Sequence, residues 1–430
     1  MRGLTHRVPG LVLTDHEFEV PLDHERPDGE RISVFAREVV APRREHDTLP
    51  WLVFFQGGPG FGSPRPLGST GWIQRALEEY RVLLLDQRGT ARSSPVSHTT
   101  LSRLGSAQRQ ADYLSHFRAD AIVRDAEHIR HELVGQDEPW AVLGQSYGGF
   151  CVLAYLSSHP HGVSRALITG GLPSLHRPAE DVYRATYARL RSRNERYYQR
   201  YPGDVAHVRR IVEHLVEHDV RLPNGDRLTP RRLQQIGLCF GMSDGFETVH
   251  YLLEESFVPG ADGDVLGDTF LRAVDHAVPY EGHLVFSILH EAAYCQGEPS
   301  EWAAERVRAE FPEFAIPADG PVYFTGEMIF PWMFEEYAAL RPLSEAAGLL
   351  ALRSDWPALY DLDQLRRNQV PCAAVVYEDD MYVERKFSMA TAETVDNLRV
   401  WHTNEYDHNA LRADGERVLG RLLDLVDGNA

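Results

Sequence analysis

The sequence predicts an α/β fold: a mostly parallel central sheet flanked by helices and interrupted by an inserted helical domain. Three observations carry this. Short, continuous apolar runs alternate with helix-like stretches up to about residue 173 and again after about 350. One such run, Trp140-Ala141-Val142-Leu143, leads into Gly144-Gln145-Ser146-Tyr147-Gly148-Gly149 and then a helix-like run from Phe150 to Ser157. From about 174 to 345 the texture becomes helical, rich in Arg, Tyr, Glu and His, with few strand signals.

Taken in order, Glu17-Phe18-Glu19-Val20-Pro21-Leu22 and Arg31-Ile32-Ser33-Val34-Phe35-Ala36 alternate in polarity across a Pro27-Asp28-Gly29 turn, which predicts an antiparallel entry hairpin. Leu49 to Phe55 is apolar throughout, as suits a strand covered on both faces, and it ends in Gln56-Gly57-Gly58-Pro59-Gly60. A helix over Trp72 to Glu79 follows. Tyr80 to Leu85 is a second buried strand, ending in Asp86-Gln87-Arg88-Gly89. Residues 111–134 read as one long helix, and Arg165 to Gly171 as the strand after the serine-bearing turn. Beyond the insertion, Pro371 to Tyr377 and Leu398 to His402 are late strands, with a closing helix over Leu411 to Val426. The expected organisation is a catalytic core of 1–173 and 350–430 with a helical cap of 174–349.

Composition narrows the function classes. Of 430 residues, 43% are hydrophobic and 25% charged, with a formal net charge of −19. That balance disfavours nucleic acid and anionic membrane surfaces, both of which call for a basic face. Met1 to Leu13 has no apolar leader core, and no apolar run approaches a membrane span, so a cytoplasmic location is expected. The four scattered cysteines, Cys151, Cys239, Cys295 and Cys372, are expected to be reduced thiols. His214 and His218 sit four apart but lack an H-E-x-x-H pattern, and Glu213 and Glu217 beside them suggest a solvated face.

The chemistry centres on Gly144 to Gly148. G-x-S-x-G between a strand and a helix is the nucleophile elbow of the α/β-hydrolase fold. The turn is tight enough to strain the serine backbone, and it lifts the Ser146 hydroxyl above the sheet edge. A serine hydroxyl is a poor nucleophile until a histidine base, oriented by a carboxylate, accepts its proton. In this fold the order is Ser, then acid, then His, each just past a strand. Glu378-Asp379-Asp380 follows the strand ending at Tyr377, and His408 lies in the loop after the last strand. His290 and His402 are rival histidines, but one is in the cap and the other within a strand. Spacing alone does not choose between Asp379 and Asp380. The developing oxyanion requires donors worth about 3–4 kcal/mol each. The backbone N–H of Tyr147 is one candidate and that of Gly58, in the glycine-rich loop, the other.

Gly57-Gly58-Pro59-Gly60, Asp86-Gln87-Arg88-Gly89 with Ser93, and Gly144 to Gly149, in that order, resemble the motifs of the prolyl aminopeptidases, or proline iminopeptidases. The resemblance covers essentially the whole chain, in the family's larger form with an extended cap. It implies an α/β-hydrolase-fold serine peptidase acting without a cofactor on small peptides with a free N-terminus. The family usually has His before Gly-Gly-Pro-Gly, whereas Gln56 stands there in this chain. Its acid lies in an Asp-Met step, which matches Asp380-Met381 and selects Asp380 over Asp379.

Removing one N-terminal residue requires recognition of an ammonium, for which a buried carboxylate is the simplest device. Glu291 shares a helical stripe with Leu284, Ile288 and Cys295, and Glu327 is the only charge between Pro321 and Phe334. The family's use of cap glutamates for the substrate amine implies the same role for Glu291 and Glu327. Tyr294, Phe330, Trp332 and Phe334 could wall a proline pocket. An esterase, a broader aminopeptidase for small residues, and a non-catalytic binding protein are the alternatives.

Overall fold

The structure, a computed structural model, describes residues 2–429. Nine strands form one sheet: β1 (Arg2–Val8), β2 (Leu11–Pro21), β3 (Arg31–Val40), β4 (Trp51–Phe55), β5 (Arg81–Leu85), β6 (Trp140–Gln145), β7 (Val163–Thr169), β10 (Cys372–Tyr377) and β11 (Leu398–Thr403). Their spatial order is β1-β2-β3-β5-β4-β6-β7-β10-β11. The pairs from β5 to β11 are parallel, and β1, β2 and β3 join antiparallel. The predicted entry hairpin is present in longer form, with Phe18 opposite Val34. β1 extends it at the sheet edge, where the sequence reading expected no strand.

The continuous apolar runs are explained by burial on both faces. Along β4, Leu52 and Phe54 join Trp72, Ile73 and Leu419 in one core, while Val53 and Phe55 join the opposite core with Val123, Val152 and Leu153. β5, β6 and β10 alternate in the same way, with Val82, Leu143 and Val375 on the first side and Leu83, Val142 and Val376 on the second. The first side is covered by helices Gly71–Ala76 and Gly415–Asp427, the second by Ala119–Leu133 and Tyr147–Ser158.

The helix expected over 111–134 is two helices, Ala107–Leu114 and Ala119–Leu133. The break turns Arg118 inward. Its guanidinium donates to the carbonyls of Ala292 (3.2 Å), Cys295 (2.8 Å) and Pro357 (2.9 Å), and it lies over the Trp356 ring. Satisfying those buried carbonyls outweighs the helical hydrogen bonds lost in the break.

Asp86-Gln87-Arg88-Gly89 is scaffolding. The Asp86 carboxylate accepts from the Ser63 amide (2.9 Å) and from Arg65, and Gln87 Nε2 donates to the Gln56 carbonyl (2.9 Å). Together they hold the loop that follows β4. Arg88 is fully buried, with Nε 2.7 Å from Asp125 Oδ2 and Nη1 2.8 Å from the carbonyls of Leu22 and His116. Ser93 Oγ accepts from Phe35 N and donates to the Asp86 carbonyl.

Between β7 and β10 the chain leaves the sheet. This stretch is helical apart from a hairpin, β8 (Phe257–Gly260) with β9 (Gly263–Leu266), that the sequence reading did not foresee. Its longest helix, Ala179–Arg200, lays arginines over the loops after β10 and β11. Arg189 and Arg196 reach Asp379 at 3.0 and 2.6 Å, and Arg193 reaches Asp407. All four cysteines are free. Among the described residues, no helix is long and apolar enough to cross a membrane.

Removing one partner of a buried ion pair strands the other charge, at a cost of about 3–5 kcal/mol. Asp125→Ala is therefore expected to lower the urea midpoint by a corresponding amount. An unfolding free energy from the urea curve within about 0.5 kcal/mol of the parent protein would mean that Arg88 is held by its remaining partners without Asp125.

Candidate active site

The site forms where the strand order reverses. From β4 the chain crosses to β5 on one side and then to β6 on the other. The carboxyl ends of β4 and β6 therefore border a crevice, the usual binding place in such sheets. The Gln56–Gly60 loop and the Ser146 turn face each other across it.

Ser146 sits between β6 and helix Tyr147–Ser158 with φ 54° and ψ −123°, a conformation costing about 1–3 kcal/mol for a non-glycine residue. Close packing enforces it. A Cβ on Gly144 would lie 2.3 Å from the Gly148 carbonyl oxygen, and one on Gly148 2.0 Å from the Phe55 carbonyl oxygen. Ser146 N donates to the Thr169 carbonyl (2.9 Å), which ties the turn to β7.

His408 Nδ1 lies 2.8 Å from Asp380 Oδ2, and both side chains are buried. Asp380 Oδ1 accepts from the amides of Tyr382 (2.9 Å) and Val383 (3.0 Å), so the carboxylate is fixed from both ends. Asp379 turns away to the cap arginines. Burial alone would lower the His408 pKa, but the Asp380 carboxylate, with Glu327 and Asp407 further off, carries it above the usual imidazole value. Gly170 and Gly171 bring this pair beside the turn. A Cβ on Gly170 would lie 3.1 Å from His408 Nδ1, and one on Gly171 2.4 Å from the Ser146 carbonyl oxygen. The other two histidines are engaged elsewhere. His402 is exposed on β11, 2.6 Å from Glu378, and His290 is buried in the cap.

The Tyr147 amide is the first of its helix, so it has no intrahelical acceptor. Gly57 packs against Gln145 and Ser146, at the foot of that helix. A Cβ on Gly57 would stand 3.1 Å from Ser146 Cβ, and Gly58 has φ 132°. A side chain at Gly57 would run into the Ser146 turn, and one at Gly58 into Phe61 and Gly60.

The two cap glutamates differ in setting. Glu327 is mostly buried, with 18% of its side chain exposed, and it interacts electrostatically with His408 and Asp380. Burial pushes its carboxyl up to about 7, against a lowering effect of His408. His290 Nε2 lies 3.9 Å from it, and burial lowers that imidazole to about 4, so it is neutral. The stripe expected to carry Glu291 is not one helix, because helix Leu284–Leu289 ends and a 3₁₀ turn, Glu291–Tyr294, follows. Glu291 is buried all the same. Its oxygens accept from the amides of Ala304 (2.9 Å) and Ala303 (3.2 Å), yet burial still pushes its carboxyl up to about 7. Both glutamates act electrostatically on the Tyr183 and Tyr294 hydroxyls. Phe150 and Tyr183 pack on Tyr294, 5.8 and 6.5 Å between ring centroids, and Phe330 stacks on Trp332. Sequence reasoning passed over Tyr183 and Arg118, for which only the folded chain supplies a signal. Cys295 is 1% exposed and burial pushes its thiol up to about 12.

Because the Glu327 carboxyl is raised above 4.5, the folded chain holds a proton that the unfolded chain has lost between pH 4.5 and about 7. Its contribution to stability therefore falls as pH rises through that window. Glu327→Gln should raise Tm at pH 8.5 relative to the parent protein, with the gain shrinking towards pH 5 in a thermal-melt series. An equal or lower Tm at pH 8.5 would count against a strained carboxylate.

A family model for the alpha/beta hydrolase fold matches residues 50–212. A proline iminopeptidase of Aeromonas sobria is 52% identical over 423 residues, 98% of each chain. A proline iminopeptidase of Aspergillus aculeatus is 38% identical over 437 residues, covering 98% of this chain and 96% of the relative. With likeness of that degree spanning nearly the whole of both chains, the protein belongs to the proline iminopeptidase family.

Proposed function

We propose that the protein is a serine aminopeptidase that removes N-terminal proline from peptides, with residues 174–349 as the cap over a core of 1–173 and 350–430. Ser146 is the nucleophile, His408 the base, Asp380 its orienting acid, Gly58 and Tyr147 the oxyanion donors, and Glu291 and Glu327 the ammonium ligands. The observation that carries this reading is the placing of Glu327, mostly buried, within electrostatic reach of the bonded His408–Asp380 pair.

The steps follow from these positions. Ser146 Oγ attacks the carbonyl carbon of the first residue while His408 Nε2 takes the hydroxyl proton. The carbonyl oxygen gains negative charge and meets the Gly58 and Tyr147 amides. The C–N bond breaks, the leaving amine takes the proton from His408, and the first residue stays esterified to Ser146. Water then attacks that ester, again losing its proton to His408, and free amino acid and the Ser146 hydroxyl are released.

The cap sets the substrate. A protonated N-terminal proline carries two N–H donors, and two carboxylates acting on one aromatic pair suit that count. Each carboxylate near pKa 7 is costly to ionise while empty, and an arriving ammonium stabilises the charged form. The walls of Tyr183, Tyr294 and Phe150 suit an apolar ring.

A panel of proline and alanine arylamides beside simple acyl esters tests the assignment. Proline arylamide should be the preferred substrate, and Ser146→Ala should lower its turnover by at least about 10⁴-fold. Hydrolysis of esters alone would make the protein an esterase.

The acid limb of kcat/KM should lie above pH 6.5, because His408 must be neutral and its pKa is raised. Glu327→Gln removes a charge that favours protonated His408, so the limb should move to lower pH. The lost ion pair, worth about 1.5–3 kcal/mol, should reduce kcat/KM by roughly 10- to 150-fold, mainly through KM. Glu291→Gln should also raise KM. Unchanged KM in either variant, measured on proline arylamide, removes that glutamate from the amine site.

A further inference from the structure

Beside the catalytic crevice lies a second concavity, a cavity of about 800 Å³, within the roughly 300–1,000 Å³ typical of small-molecule sites. Its wall carries the immediate chain neighbours of Ser146 and His408 and the first residue of the glycine-rich loop. Gln56 precedes Gly57, Gln145 precedes Ser146, and Asn409 follows His408. Trp72 and Leu67 supply apolar surface. Leu67 is 88% exposed, a large apolar side chain left at the rim.

We propose that this cavity binds the part of the peptide beyond the scissile bond, and that it favours an apolar second residue. The inference rests on the aminopeptidase reading and extends it to the leaving peptide. The direction follows from the reaction. The tetrahedral carbon on Ser146 points its oxygen at the Gly58 and Tyr147 amides and its Cα at the glutamates of the cap. The remaining substituent is the leaving nitrogen, which must take its proton from His408. The chain attached to that nitrogen therefore runs past His408, and the next residue along, Asn409, lines the cavity. The side-chain amides of Gln56 and Gln145 offer donors and acceptors to the peptide backbone there.

The wall is held in place before any ligand arrives. Asn409 Oδ1 accepts from Ser243 N (3.0 Å), its Nδ2 lies 3.1 Å from Ser243 Oγ, and His408 N donates to the Gly241 carbonyl (3.2 Å). The cap segment and the catalytic loop thus meet along one edge of the cavity. At the rim Arg412 is paired with Asp244 at 3.3 Å, so the charge there is balanced.

The test compares proline amide, whose leaving group is ammonia, with prolyl-leucinamide and prolyl-aspartamide. The readout is the ratio of kcat/KM for prolyl-leucinamide to that for proline amide. In the parent protein this ratio should be at least tenfold, and leucine should exceed aspartate. Gly68→Trp should fill the cavity, since a Cβ at Gly68 meets nothing closer than the Pro9 carbonyl oxygen at 3.4 Å. That variant should lower the ratio at least fivefold. Leu67→Ser, at an exposed position, should lower it at least twofold and decides the matter if the tryptophan variant does not fold. Ratios unchanged in folded variants, or a parent ratio near one, would overturn the proposal. A parent protein that cleaves none of the three overturns the aminopeptidase reading as well.

Discussion

The site depends on one backbone constraint. Ser146 is held at positive φ because the chain on both sides of it is packed against other backbone with no space for side chains. Gly144, Gly148 and Gly171 are all in contact closer than any Cβ could tolerate. The strain is stored at the one residue that must stand above the sheet, and the hydrogen bond from Ser146 N to Thr169 ties it to β7. The same packing delivers the rest of the site. The glycine pair after β7 touches both the turn and His408, so the acid and base arrive where the serine is exposed.

Around this strained turn the protein spends stability on charge. Asp380 is fully committed to His408 and two amides, so both of its oxygens have partners. Glu291 and Glu327 are buried carboxyls raised to about 7. Even with two backbone donors, burial raises Glu291 as far as it raises Glu327. Desolvation outweighs local hydrogen bonding in both. Such poorly solvated carboxylates are destabilising to an empty site and favourable partners for a cation, which is the usual trade between stability and function. His290 beside Glu327 contributes no compensating positive charge, being itself too buried to hold a proton.

The supporting parts are equally physical. Asp86 and Gln87 hold the loop after β4, and Arg88 joins that region to helix Ala119–Leu133 through Asp125. The break at Ser115–Arg118 serves the cap, because Arg118 pins the carbonyl of Ala292, within the Glu291–Tyr294 turn, and that of Cys295, just after it. Arginines of helix Ala179–Arg200 clamp the loops carrying Asp380 and His408 from above.

Much of this was legible in the sequence. Runs such as Trp51 to Phe55 are apolar at every position because both faces of a parallel strand are covered, and that pattern is local. G-x-S-x-G between strand and helix is also local, since steric demands on the turn fall on its own residues. The resemblance to the proline iminopeptidases, carried by three ordered motifs, agreed with the family to which the whole chain belongs. Other features were not legible because they depend on partners far along the chain. The helix break at Arg118 answers to carbonyls near residues 292 and 357. Spacing alone could not separate Asp379 from Asp380; the Asp380-Met381 step of the resemblance chose Asp380, and in space the arginines take Asp379 while the imidazole takes Asp380. Glu291 looked like a stripe on one helix, whereas the chain turns there to offer it two amides. The sequence by itself determined the alternation of strands and helices and the serine turn, because short-range sterics and periodic burial decide both. Tertiary structure alone decided how the cap carboxylates are solvated and where the second cavity opens, because both follow from the packing together of segments that are separate in the chain.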